Sequence, residues 1–151
     1  MSILHQNLDA RPANLLHNAE TASANLFAEI LDGYCPRIRA IMHTEHAVRF
    51  ARLVEAGAWT DAALALLALE LPQWQMRRLV YDDGEWHCAL SDHREMPEWL
   101  DDSIEMHHPD MALAILSAAV EAKRQIRMPQ IAMGPAAPNA CFEHMCCDNF
   151  A

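Results

Sequence analysis

The chain has 151 residues, of which 52% are hydrophobic and 21% are charged, and this balance is typical of one globular domain. The 21 acidic residues outnumber the 11 basic residues, and the resulting formal charge of −10 disfavours binding to nucleic-acid phosphates. No apolar run approaches the roughly 20 residues that cross a bilayer. We therefore expect neither a nucleic acid nor a membrane as partner.

The cysteines indicate the compartment. The chain has 5 of them, an odd number, and its first residues lack the basic and apolar segments of a secretory signal. Reduced thiols in a cytoplasmic protein are the usual explanation for this combination. We therefore expect a cytoplasmic location.

Three helices are predicted in the first half of the chain. Pro12 is expected to open the first, whose apolar residues recur at three- and four-residue steps until Gly33. Pro36 is expected to open the second, which ends at Gly57. The third covers residues 62–71 and is apolar on nearly all sides, so we expect it to be buried.

The hydrophobic period then changes to two, which predicts strands over residues 75–82 and 85–91. Asp83-Gly84 between them is a strong signal for a type I′ turn, which needs positive φ at both positions. The turn predicts the register, because cross-strand partners count outward from it. The predicted pairs are Asp82 with Glu85, Tyr81 with Trp86, Leu79 with Cys88, and Arg77 with Leu90.

The last three of these pairs are expected to form a core face that helices cover, since alternate residues share a face of a sheet. The opposite face is then expected to carry Met76, Arg78, Val80, His87, Ala89 and Ser91.

The segment from residue 92 to 108 is acidic, and we expect an irregular loop there. Pro109 and Asp110 are expected to open the last helix, which extends to Arg127 before Pro129. The predicted fold class is therefore α+β, mostly helical, in the order α-α-α-β-β-α with a two-stranded antiparallel hairpin packed on helices. Residues 1–11 are predicted to be a flexible N-terminus, residues 12–128 a single domain, and residues 129–151 a flexible cysteine-containing tail.

Four segments carry a resemblance to known proteins: residues 55–66 with their run of alanine and leucine, residues 71–74, the hairpin residues 83–91, and the small-residue helix 113–122. Together they resemble an uncharacterised family of small alpha-proteobacterial proteins. More distantly, residues 55–127 are similar to the phage ABA sandwich domain. This resemblance implies the order helix, strand, strand, helix, and it implies no catalytic or binding residue.

The tail contains the densest group of metal ligands in the sequence, Cys141, His144, Cys146 and Cys147. Soft thiolates and an imidazole suit Zn²⁺ or Cu(I), and a short flexible peptide can wrap an ion. Structural zinc sites, however, usually join two ligand pairs across a longer loop, and the side chains of Cys146 and Cys147 diverge. Incidental thiols in a flexible tail are the alternative interpretation.

Two histidine pairs also stand out. His43 and His46 lie three residues apart, which differs from the i, i+4 spacing of a catalytic zinc helix and favours an exposed polar face. His107 and His108 precede the last helix, where they are expected to satisfy free backbone amides, with a pH switch as the alternative. Among the four tryptophans, Trp99 is expected to face a partner or to cap the edge of the core.

The sequence predicts no catalytic residues, no cofactor and no metal site outside the tail alternative. We therefore expect a non-enzymatic interaction or accessory protein. The free edges of a two-stranded hairpin invite pairing with a second copy, so we also expect a homodimer. The alternative is a metal- or redox-responsive protein that acts through Cys141, His144, Cys146 and Cys147.

Overall fold

The computed structural model describes residues 3–93, 95, 97 and 103–127, and residues 3–10 are described by their backbone only. These residues form six helices and one antiparallel sheet. The elements in chain order are α1 (Ile3–Asn18), α2 (Ala24–Tyr34), α3 (Pro36–Ala40), α4 (Glu45–Glu55), α5 (Trp59–Glu70), β1 (Gln75–Asp82), β2 (Glu85–Ser91), β3 (Ile104–His108) and α6 (Met111–Arg127). The α+β class is confirmed, whereas the predicted element order is wrong, because it lacks a third strand and two helix breaks.

The first two predicted helices are each divided in two. Ser23 starts α2, since its hydroxyl oxygen accepts a hydrogen bond from the N–H of Leu26 at 3.3 Å. Thr44 starts α4 in the same way, with the N–H of Ala47 at 3.4 Å. Such side chains replace the missing intrahelical partner of a first-turn amide and so allow a new helix to begin. Pro12 lies inside α1 and does not open it.

The hairpin turn forms as predicted. Asp83 has a φ of 49° and Gly84 a φ of 87°, as a type I′ turn requires. The register of Tyr81 with Trp86, and of Leu79 with Cys88, is confirmed.

The predicted pair of Arg77 with Leu90 is wrong, because a β-bulge at Arg77 places Met76 opposite Leu90. The bulge moves Met76 from the predicted outer face to the core side, where it packs against buried residues. Without it, the charged side chain of Arg77 would lie over the fully buried Leu90.

A third strand lies where an irregular loop was predicted. Strand β3 pairs antiparallel with β2, so the sheet order is β1-β2-β3. Ile104 and His108 are buried, whereas Glu105 and His107 between them are exposed. This alternation is typical of a half-buried strand. The strand was not predicted, because the acidic composition of residues 92–108 indicated a solvated loop.

Helix α6 covers the core face of the sheet and contacts β2, β3, α5 and α1. Residues 112–120 are buried without interruption. Small side chains on α6 let the neighbouring elements approach it closely from several sides. The buried alanines of this helix are Ala112, Ala114, Ala118, Ala119 and Ala122. Tyr81, predicted for the core face, is 60% exposed, because it lies beyond the covered part of the sheet near the hairpin tip.

The described residues contain no helix with the length and apolar character that a bilayer crossing demands. The predicted tail, residues 129–151, lies outside the described residues.

Candidate functional site

The sheet surface opposite α6 carries the main group of interacting charged side chains outside the core, and we call it the outer face. Trp86, Cys88 and Leu90 of β2 pack in the core. Because alternate residues of a strand share a face, the residues between them, and their partners on β1 and β3, lie on the outer face. The outer face therefore consists of Arg78, Val80, Glu85, His87, Ala89, Glu105 and His107.

Two imidazoles lie side by side at the centre of the outer face. His87 on β2 is the register partner of His107 on β3, and their ring centroids are 5.6 Å apart with an interplanar angle of 33°. The side chain of His107 is 63% exposed and that of His87 is 28% exposed. Both rings are therefore accessible to a ligand from solvent.

Each imidazole has its own carboxylate. Nδ1 of His107 lies 2.8 Å from Oε2 of Glu85, and Nδ1 of His87 lies 3.5 Å from Oε1 of Glu105. The other oxygen of Glu105 accepts a hydrogen bond from Nη2 of Arg78 at 2.8 Å. The five side chains thus form one polar row across all three strands.

The neighbouring residue His108 has a structural role instead. It is 8% exposed, and its Nδ1 accepts a hydrogen bond from the N–H of Asp110 at 2.9 Å. Its Nε2 must therefore carry the proton that it donates to the carbonyl oxygen of Ala19 at 3.0 Å. The contact with the N–H of Asp110 agrees with the expectation that this histidine satisfies a backbone amide near the start of the last helix. Asp110 in turn caps α6, because its carboxylate accepts a hydrogen bond from the N–H of Leu113.

A second charged group is buried between helices. The carboxylate of Glu70, at the end of α5, accepts a hydrogen bond from the N–H of Ile38 at 3.1 Å and pairs with the ammonium of Lys123. The side chain of Glu70 is 1% exposed and that of Lys123 is 15% exposed. The pair joins α3, α5 and α6 and is buried between them, so we assign it to the stability of the fold.

The two described cysteines, Cys35 and Cys88, are free and buried. Burial, together with the nearby carboxylate of Glu70, raises the pKa of the Cys35 thiol to about 12. Burial also raises the pKa of Cys88 to about 12. Thiolates are the reactive form of cysteine, so both thiols are inert near neutral pH.

The raised pKa values predict a loss of stability in alkali. Between pH 9 and pH 12 the unfolded thiols ionise while the folded thiols remain protonated, so the folded state binds more protons. We expect the free energy of unfolding to fall by up to about 1.4 kcal/mol per thiol for each pH unit above 9. Urea titrations at several pH values measure this slope. The Cys35→Ala, Cys88→Ala double variant should have a flatter slope, and an equal slope in both proteins would contradict the assignment.

Most other predicted site residues are dispersed. His43 and His46 are both exposed, but His43 lies in the turn before α4 and only His46 lies within α4, so they do not share the predicted helix face. Trp59 stacks on Phe27 in the core. Residues that lie outside the described part of the chain are Trp99 and the tail ligands Cys141, His144, Cys146 and Cys147.

The polar row was not predicted from the sequence, because His107 becomes a partner of His87 only through the third strand. In residues 3–93, 95, 97 and 103–127, no group of three or more histidine, cysteine, aspartate or glutamate side chains is arranged to hold a metal ion.

Comparison with known proteins identifies no relative: no family model, curated protein or solved structure matches this chain. The resemblance to the alpha-proteobacterial family and to the phage ABA sandwich domain therefore stays a prediction. The geometry of the outer face and of the sheet edge is the basis for assigning a function.

Proposed function

We propose that this protein is a non-enzymatic cytoplasmic interaction module that binds a second copy of itself through strand β1. The observation that carries the proposal is the position of β1 at the edge of the sheet, with two consecutive residues whose large side chains are exposed on opposite faces. Val80 is 41% exposed and Tyr81 is 60% exposed.

The edge position supplies the backbone part of the interaction. Strand β1 is Gln75–Asp82, and β2 is its strand partner among the described residues. An edge strand presents N–H and C=O groups on the side away from its partner, and these groups can pair with another extended strand. Beyond the bulge at Arg77, residues 78–82 pair regularly with β2 and form the part of the edge that a second strand would extend.

The side chains supply the apolar part. Tyr81 packs against Trp86 with ring centroids 5.3 Å apart, so its ring is supported before any partner binds. A supported aromatic loses little conformational entropy on binding, and tyrosine is enriched in protein interfaces. Val80 projects from the opposite face of the same strand end, so a strand paired along this edge would place its own side chains beside both residues.

Replacing Val80 with lysine tests this proposal. A charge at the end of an edge strand disfavours pairing with an identical strand. We expect the dissociation constant of the dimer to rise about tenfold or more, which corresponds to about 1.4 kcal/mol. Sedimentation equilibrium over a range of protein concentrations measures this constant.

Val48 offers a matched control, because it is 42% exposed and lies on α4, away from the sheet. The Val48→Lys variant should dimerise like the unaltered protein. A chain that stays monomeric at the highest concentration, or equal weakening by both substitutions, would exclude β1 as a self-association surface.

A further inference from the structure

We propose that His87 and His107 together bind a divalent late transition-metal cation, such as Cu²⁺, Ni²⁺ or Zn²⁺, through their two Nε2 atoms. This site lies on the outer face, and both of its ligands come from β2 and β3, whereas the proposed self-association uses β1. The site also differs from the tail ligands considered from the sequence.

The strand register places the two ligands together. His87 and His107 are direct partners on adjacent antiparallel strands, and such partners have Cβ atoms about 4.5–5.5 Å apart. The ring centroids are 5.6 Å apart. Two imidazoles bound to one ion, each with a metal–nitrogen distance of about 2.0–2.1 Å, need a comparable separation of their rings. The sheet therefore holds both ligands near chelating geometry before the ion arrives.

The carboxylates select the nitrogen that faces the ion. Nδ1 of His107 is within 2.8 Å of Glu85, and Nδ1 of His87 is 3.5 Å from Glu105. Histidine ligands of metals commonly donate their second ring N–H to a carboxylate, which sets the tautomer and increases the basicity of the metal-binding nitrogen. The 2.8 Å contact directs the Nδ1 proton of His107 to Glu85 and leaves its Nε2 lone pair for coordination. Nδ1 of His87 faces Glu105 at the longer distance of 3.5 Å, so its Nε2 is the nitrogen away from that carboxylate.

The charges and the ligand type indicate the class of cation. Glu85 and Glu105 contribute two negative charges to the row and Arg78 contributes one positive charge, so a divalent cation is attracted. Imidazole nitrogen suits copper, nickel and zinc, whereas Mg²⁺ and Ca²⁺ prefer oxygen. Two protein ligands leave the other coordination positions to water, which makes the bound ion exchangeable and open to a further ligand.

Calorimetric titration of the full-length chain with NiCl₂ tests the site. The tail ligands are first replaced by the substitutions Cys141→Ser, His144→Asn, Cys146→Ser and Cys147→Ser, so that thiol binding does not contribute. We expect one Ni²⁺ per chain, and no binding of Mg²⁺. In that background, His87→Asn and His107→Asn should each weaken Ni²⁺ binding at least about tenfold, because a single imidazole loses the intramolecular second contact.

The matched control is the double substitution His43→Asn, His46→Asn, which removes two exposed histidines outside the sheet and should leave the affinity unchanged. Glu85→Gln keeps both imidazoles and should weaken binding about tenfold through the lost carboxylate contact. Nitrogen-15 spectra of the Zn²⁺-bound protein should show shifts at Nε2 of His87 and His107.

Absence of one-to-one Ni²⁺ binding, or equal affinity in the His107→Asn variant, would overturn the site. The Tyr81→Lys variant alters the self-association strand on the sheet face away from His87 and should bind Ni²⁺ normally, so failure of the metal site and failure of self-association are separate results.

Discussion

Replacing Lys123 with methionine is expected to lower the free energy of unfolding by about 3–5 kcal/mol, because it leaves the carboxylate of Glu70 buried without its counter-charge. The Glu70 side chain is 1% exposed, so water cannot replace the ammonium. The methionine keeps the apolar stem that packs between α5 and α6. Urea unfolding followed by circular dichroism measures the change.

A second substitution separates charge from packing. Glu70→Gln removes the negative charge and retains an oxygen that can accept from the N–H of Ile38. The double variant Lys123→Met, Glu70→Gln should therefore recover part of the lost stability, and the coupling between the two positions follows from the cycle. If Lys123→Met alone lowers the free energy of unfolding by less than about 1 kcal/mol, the ion pair of Glu70 and Lys123 does not stabilise the fold as a buried pair.

Replacing Phe27 with alanine is expected to lower the free energy of unfolding by about 3–5 kcal/mol, since it creates a cavity at the centre of the helical layer. Phe27 is 0% exposed. Its ring centroid lies 5.8 Å from that of Trp59, on which it stacks, and 6.2 Å from that of Phe50. Phe27 therefore joins α2 to α4 and α5. Chemical denaturation with urea measures the loss from the shift of the midpoint at constant slope.

Phe27→Leu is the control for volume. It keeps most of the apolar bulk and loses the aromatic stacking, so we expect a cost well below that of alanine. Equal costs for leucine and alanine would mean that the stacking on Trp59, and not the filled volume, dominates at this site.

Local chemistry made the hairpin predictable. The Asp83-Gly84 turn depends on the φ preferences of two adjacent residues, and the register next to the turn follows from counting. The predicted register is wrong from Arg77 onward, because the bulge there places the apolar side chain of Met76 over the core instead of the charged side chain of Arg77. That placement depends on what lies beneath the strand, which local sequence does not specify.

The third strand was missed for a related reason. Strand Ile104–His108 has only five residues, and its two exposed side chains, Glu105 and His107, are ionisable. Their extended conformation is stabilised by hydrogen bonds to β2 and by packing on α6, both of which are distant contacts. The pairing of His87 with His107 depends on this strand, so the candidate site could not be predicted either.

The sequence alone determined the mixed α+β class, the turn at Asp83-Gly84 and the last helix, because each rests on interactions among near neighbours in the chain. The tertiary structure decided the bulge, the third strand, the row of side chains on the outer face, and the link between Glu70 and Lys123, which lie 53 residues apart. These features form only when the folded chain brings separated residues together, since the burial of one residue depends on which distant element covers it.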